Sequence, residues 1–122
     1  MNTFGFYSLC QEGSIYYIDI FVVDGKKDKS YIEDRLINFH TKMYYNNKNS
    51  ELSRKINDIH SCEIDILEIH YENGNKNYIS NALKQGLLNY RESYGMIGYK
   101  NTGAKITDPF SFHDIMESLS IL

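Results

Sequence analysis

The chain has 122 residues, 42% of them hydrophobic and 24% charged, with a net charge of −3 and a pI near 5.8. That length allows one domain with one modest core, and the acidic balance speaks against tight non-specific nucleic-acid binding while leaving local basic patches open. Two cysteines, Cys10 and Cys62, cannot make a disulfide framework and read as buried reduced thiols.

Eleven Tyr and six Phe with no Trp, together with frequent Asn, Lys and Ile, suggest an AT-rich coding genome. The residues after Met1 lack the basic and apolar segments of a secretory signal. The longest apolar run, Ile15 to Val23, is interrupted by Asp19 and is too short to span a membrane. A soluble, cytoplasmic location follows as an expectation.

Phe4 to Val23 carries two β-branched and aromatic runs around the polar segment Gln11-Glu12-Gly13, which predicts a β-hairpin with a loop of about three residues. If Cys10 and Ser14 close the loop, Tyr7 lies across from Tyr17 and Gly5 across from Asp19. Tyr7, Tyr17, Asp19, Leu9 and Ile15 then share one face, and Phe4, Phe6, Tyr16, Ile18, Ile20 and Val22 share the other. The second, more apolar face is expected to meet the core. The first sets two phenols and a carboxylate on a strip that Gly5 leaves open, and a slip of one residue would undo this placement.

A charged connection, Asp24 to Lys29, leads to Ser30-Tyr31-Ile32-Glu33, which fits a capping box. The helix that follows has Ile32, Leu36, Phe39 and Met43 at helical spacing, with Arg35, His40 and Lys42 decorating it. Tyr44 to Asn49 reads as a loop. Ser50 opens a short second helix with Leu52, Ile56 and Ile59 inward and Arg54 and Lys55 to the side. Cys62 to Tyr71 is a third strand whose apolar phase changes between Ile66 and Leu67, the mark of a bulge or of a strand covered on both faces. A third helix runs from about Tyr78 to Tyr94, with Ile79, Ala82, Leu83, Leu87, Tyr90 and Tyr94 on one stripe. Gly86 inside it costs roughly 1 kcal/mol against Ala and points to close packing or a kink. Gly95 reads as its stop, Gly98 to Gly103 as a turn-rich segment, and Asp108-Pro109 as a break. Ser111 to Leu122 forms a final amphipathic helix with Phe112, Ile115, Met116 and Leu119. The whole is a single α+β domain, a small three-stranded antiparallel sheet flanked by helices with an extra C-terminal helix.

That order of elements, with its motifs, resembles the GIY-YIG nuclease family. Gly5-Phe6-Tyr7 stands for the first motif and Tyr17-Ile18-Asp19 for the second, Arg35 for the catalytic Arg of the helix, and His40, five residues on, for the His one turn later. Ser50 to Ile56 and Cys62 to Glu68 match the short helix and strand that follow, and Gly98-Tyr99-Lys100 matches a late turn, so the resemblance covers about residues 4–103. It implies phosphodiester hydrolysis on one divalent metal, with Tyr7 activating water, Tyr17 supporting the nucleophile or phosphate and Arg35 neutralising charge. The departures are Asp19 in place of a Gly, a long connection to the Arg helix, and Ala82 to Leu87 in place of the family's metal-ligating Glu. No cofactor is expected on that basis, although Asp19 offers a relocated ligand for Mg²⁺.

Each of these residues also has a plain reading. Tyr7 and Tyr17 are a cross-strand aromatic pair, Arg35 a solvent-facing cation or an ion-pair partner of Asp19, and His40, His60, His70 and His113 are scattered without zinc spacing. The basic residues Lys26, Lys27, Lys29, Lys42, Lys48, Arg54 and Lys55 are either a solvated surface or a patch beside the cleft. The preferred reading is a degenerate, non-catalytic member that binds nucleic acid, a phosphate-bearing ligand, or a host protein if the gene is of phage or mobile-element origin. In it Gly5, Asp19, Arg54 and Lys55 contribute to binding. The alternatives are an active Mg²⁺-dependent endonuclease with rearranged ligands, and an oligomeric interaction protein dimerising through its last helix.

Overall fold

A computed structural model describes residues 1–94. In chain order the elements are β1 (Asn2–Gln11), β2 (Ser14–Asp24), α1 (Lys29–Asn46), the short α2 (Glu51–Lys55), a 3-10 turn at Ile59–Ser61, β3 (Glu63–Glu72) and α3 (Lys76–Tyr94). The three strands form one antiparallel sheet in the order β2-β1-β3, so the first strand is the central one. The expected α+β architecture is therefore present. The late turn at Gly98, the Asp108-Pro109 break and the final helix lie outside the described residues.

The hairpin departs from its expected register in two places that compensate. Its turn is tighter: Glu12 and Gly13, at φ 52° and 81°, make the corner alone, and Gln11 pairs with Ser14. Both corner residues are left-handed, as a two-residue hairpin turn requires. The register then shifts between Leu9 and Cys10, because Cys10 pairs with Ile15 and Leu9 with Tyr17. Tyr16 is the extra residue of that bulge. Tyr7 thus lies across from Asp19 rather than Tyr17, and Gly5 across from Phe21 rather than Asp19. Two one-residue changes restore the alternation, so Tyr7, Tyr17 and Asp19 do share a face.

The apolar face meets the core as expected, but the Tyr7 face, expected to be open, is covered as well. β1 is buried from Thr3 to Leu9 because it pairs on both sides and is covered above and below. α1 lies over the Tyr7 face and α3 over the Phe4 and Phe6 face. The main core joins Phe6, Phe21 and Ile20 of the sheet to Ile32 and Leu36 of α1 and to Ile79, Leu83 and Leu87 of α3. A second cluster sets Leu9 against Leu52, Ile56 and Ile59, the three positions expected inward around the short helix.

Gly5 does not leave a gap. A Cβ there would meet the Glu68 carbonyl oxygen at 1.9 Å, so β3 is pressed onto the glycine. The pairing of β1 with β3 shifts between Phe6 and Tyr7, where Glu68 and Ile66 face them and Leu67 is the extra residue. This bulge accounts for the phase change along β3. Gly86 serves close packing without need of a kink: a Cβ there would lie 2.2 Å from Phe6 Cζ, so the Phe6 ring rests directly on the backbone of α3.

α1 starts earlier than the capping box suggests. Asp28, not Ser30, is the N-cap, and its carboxylate accepts from the Tyr31 N–H at 2.8 Å. At the other end the helix runs through Asn46, three residues into the expected loop. The connection into it is fastened by the buried Thr3, whose hydroxyl donates to the Gly25 carbonyl at 2.7 Å and accepts from the Lys27 N–H at 2.9 Å. Ser50 caps α2 as expected, accepting from the Ser53 N–H at 3.0 Å.

Candidate functional site: a tyrosine–histidine–aspartate cluster and a basic corner

The residues singled out by resemblance fall into two groups. Tyr7, Tyr17, Asp19 and His40 meet between the sheet and α1. The Tyr7 hydroxyl and His40 Nε2 share a buried hydrogen bond of 2.6 Å. The Tyr17 hydroxyl donates to Asp19 Oδ2 at 2.5 Å, and the Ile20 N–H donates to Asp19 Oδ1 at 2.8 Å. The His40 ring stands edge-on to both tyrosines, at 5.5 Å from Tyr7 and 5.4 Å from Tyr17, and the two phenol rings are 6.5 Å apart. Edge-to-face contacts of this kind are attractive through the ring quadrupoles.

His40 was expected on the helix surface and Phe39 within. The inward row is instead Ile32, Leu36, His40 and Met43, and Phe39 is half-buried, its ring beside that of His40 at 5.1 Å. A polar ring can hold this inward position because the Tyr7 hydroxyl satisfies it. Burial drives the His40 pKa down to about 3, so the imidazole is neutral at ordinary pH and brings no charge to the site. Asp19 is 4% exposed. Its pKa is raised by burial, against the pull of the Tyr17 hydroxyl, the Ile20 amide and the Arg91 charge. The carboxylate expected to meet water, a cation or Arg35 is taken up by its own strand.

Arg35 is not part of this cluster. It lies about 100° around the helix from the buried Leu36, and its guanidinium sits over the Tyr31 ring, 5.1 Å from the centroid. Lys27 Nζ lies over the same ring at 4.9 Å. Lys26 Nζ lies over the Tyr71 ring at 5.2 Å, and the Tyr71 hydroxyl donates to the Lys27 carbonyl at 3.2 Å. Three cations and two tyrosines therefore meet at a corner where β2 hands over to α1 beside the end of β3, with the carboxylates of Asp24, Asp28 and Glu72 interleaved. Lys26 and Lys27 were visible in the sequence as basic residues. Tyr31 and Tyr71 were not, because only the pairing of β3 with β1 brings Tyr71 to Thr3. Arg54 and Lys55 are exposed on the last turn of α2, and Gly5 is sealed under β3.

Mg²⁺ does not fit the tyrosine cluster. Hard cations of this kind need several oxygen ligands. Asp19 is the one carboxylate there among the described residues, with each oxygen already accepting a hydrogen bond. Among the described residues no group of three or more His, Cys, Asp or Glu side chains is placed to hold a metal. Cys10 and Cys62 are free thiols. Cys62 is buried, its pKa pushed up to about 11 chiefly by desolvation, whereas Cys10 is only partly buried. Among the described residues no helix is long and apolar enough to cross a membrane.

No family model matches the chain, and neither the curated proteins nor the solved structures contain a significant match.

Proposed function

We propose that this chain is a non-catalytic binding protein of GIY-YIG-like build, and that it engages nucleic acid through the corner formed by Lys26, Lys27, Tyr31, Arg35 and Tyr71. The observation that carries the proposal is the separation of Arg35 from the tyrosines. In the resembled chemistry a phenol, a guanidinium and a metal carboxylate act on one phosphate. Here the phenols are bound into a buried network and the guanidinium stands with two lysines at a surface corner. Cations gathered at a surface corner suit a sugar-phosphate backbone, since the charges meet phosphates.

The test has two arms. Fluorescence anisotropy with a labelled single-stranded oligonucleotide is expected to show binding that weakens with salt. Arg35→Ala and Lys27→Ala should each weaken binding and lower the salt slope by about one unit. Plasmid incubated with Mg²⁺ or Mn²⁺ should remain unnicked. Nicking by wild type that Tyr7→Phe and Arg35→Ala both abolish overturns the proposal in favour of an enzyme. An oligonucleotide affinity indifferent to both corner substitutions removes the corner from it.

A further inference from the structure

On the far side of the sheet from the tyrosine–histidine cluster, a cleft of about 640 Å³ opens between α3 and strands β1 and β3. Its floor is Phe4 and Phe6, the two rings that alternate inward on β1. Tyr90 stands as one wall, its ring 5.2 Å from that of Phe6. Tyr78 and Tyr94 belong to the rim, 55% and 59% exposed. Five aromatic rings therefore surround a volume within the usual range of small-ligand sites.

Among the described residues one fixed charge lines this space, the Glu68 carboxylate. Lys and Arg are absent from its described lining. The Tyr90 hydroxyl donates to Glu68 Oε2, and His70 Nε2 lies 3.0 Å from Oε1. Those two bonds, Tyr90 first, hold the Glu68 pKa below the ordinary carboxylate value, so the group is ionised at neutral pH. His70 is itself propped by the Phe4 ring at 5.4 Å. The Gln85 amide donates to Asn89 Oδ1 at 3.3 Å along the helical wall, adding polar groups without net charge. Aromatic faces carry negative potential, so rings and carboxylate act with the same sign on whatever enters. An anion would meet repulsion, and a neutral apolar guest would desolvate the carboxylate without compensation.

We propose that this cleft binds a small organic cation, a quaternary or N-methylated ammonium, held among the rings of Tyr78, Tyr90 and Tyr94 above the nearly covered Phe4 and Phe6, with Glu68 as its counter-ion. Such ions are poorly hydrated, and an aromatic enclosure with a carboxylate replaces their water well. The site lies on a different face from the basic corner and does not depend on nucleic-acid binding.

The experiment is an NMR titration of the ¹⁵N-labelled full chain with choline, and in parallel with its neutral carbon isostere, dimethylbutanol. Choline is expected to shift the amides of Gln85, Gly86 and Asn89 and to bind about tenfold tighter than the isostere. Glu68→Gln should remove that margin and leave the isostere unchanged. Tyr78→Leu, an exposed rim position that keeps the Tyr90–Glu68 bond, should weaken choline severalfold and serves if Glu68→Gln fails to fold. Equal affinity for the two probes, choline affinity unaltered in the folded variant, or shifts confined to residues outside the cleft would each overturn the proposal. So would cleft amides that stay unmoved at high choline concentration.

Discussion

The two faces of the sheet are built from the same alternation of residues and packed in opposite ways. The α1 face buries polar groups: Tyr7, Asp19 and His40 are all under 5% exposed, and hydrogen bonds account for them. The α3 face buries only apolar side chains at Ile79, Leu83 and Leu87, and then stops short, leaving a cleft over Phe4 and Phe6. A buried hydrogen-bonded network demands fixed geometry, because each polar atom moved off its partner costs about 1–3 kcal/mol. Apolar packing beside open space tolerates displacement. The first face is therefore suited to rigidity, the second to accommodating a guest.

Gly5→Ala is the harshest way to test the rigid side. Its Cβ would meet a backbone oxygen at 1.9 Å, and a strand cannot move aside as a side chain can. A loss of about 3 kcal/mol or more is expected, read from urea unfolding. If the variant is as stable as wild type, β3 does not press on β1 as described.

Acid titration comes next. His40 binds its proton at about 3 in the folded chain against 6.5 ordinarily. Between those values the unfolded chain holds the extra proton, so stability rises with pH across the window. It is fully present above about 6.5 and lost as pH falls, with a slope of at most about 1.4 kcal/mol per unit. Asp19 acts in the opposite sense. Its folded pKa lies above the ordinary 3.8, so its contribution is complete below that value and disappears as pH rises through the folded one. The net slope is the difference of the two. His40→Gln keeps a polar side chain that does not titrate, and should flatten the profile between pH 3.5 and 6.5, roughly the window of the imidazole shift. A slope that persists unaltered in this variant would assign the acid sensitivity elsewhere.

Gly86→Ala probes the tolerant side. Its Cβ would lie 2.2 Å from Phe6 Cζ, a worse overlap on paper than many, yet the Phe6 ring borders the cleft and can swing into it. Alanine also gains about 1 kcal/mol of helix propensity. A net loss near 1 kcal/mol is expected, and Phe6→Leu should relieve most of it in a double-mutant cycle. A loss matching that of Gly5→Ala would mean that the two faces are equally unyielding. The smallest effect is Arg35→Ala, under about 0.5 kcal/mol, because a half-exposed cation over a ring contributes little to folding. A loss above 1 kcal/mol in calorimetry would place the guanidinium in the core after all.

What the sequence revealed follows physical range. The facing of Tyr7, Tyr17 and Asp19 was legible because strand alternation is local, and it survived only because a shorter turn and a bulge cancel. The inward row of α2 and the bulge in β3 were legible for the same reason. His40 was misplaced because an apolar pattern favours Phe39, and the deciding partner, the Tyr7 hydroxyl, is 33 positions away. Asp28 and Ser30 are both good caps, and their order along the chain is settled by where Thr3 fastens the connection. The cleft carried the weakest signal: Glu68 reaches Phe4 and Phe6 only through strand pairing across some sixty residues of chain. The spacing of Glu68 with His70, and of Gly86 with Tyr90, was the trace it left.

The central position of β1 has a consequence for synthesis. β1 leaves the ribosome before both of the strands it pairs with, and its second partner is encoded by Glu63–Glu72. During the interval, on the order of seconds at ordinary translation rates, the nascent hairpin presents, besides the outer edge of β2, the still unpaired edge of β1. An uncovered edge is a template for pairing with other chains. Holding the newborn hairpin apart from its neighbours until β3 arrives is thus a requirement that the finished molecule no longer displays.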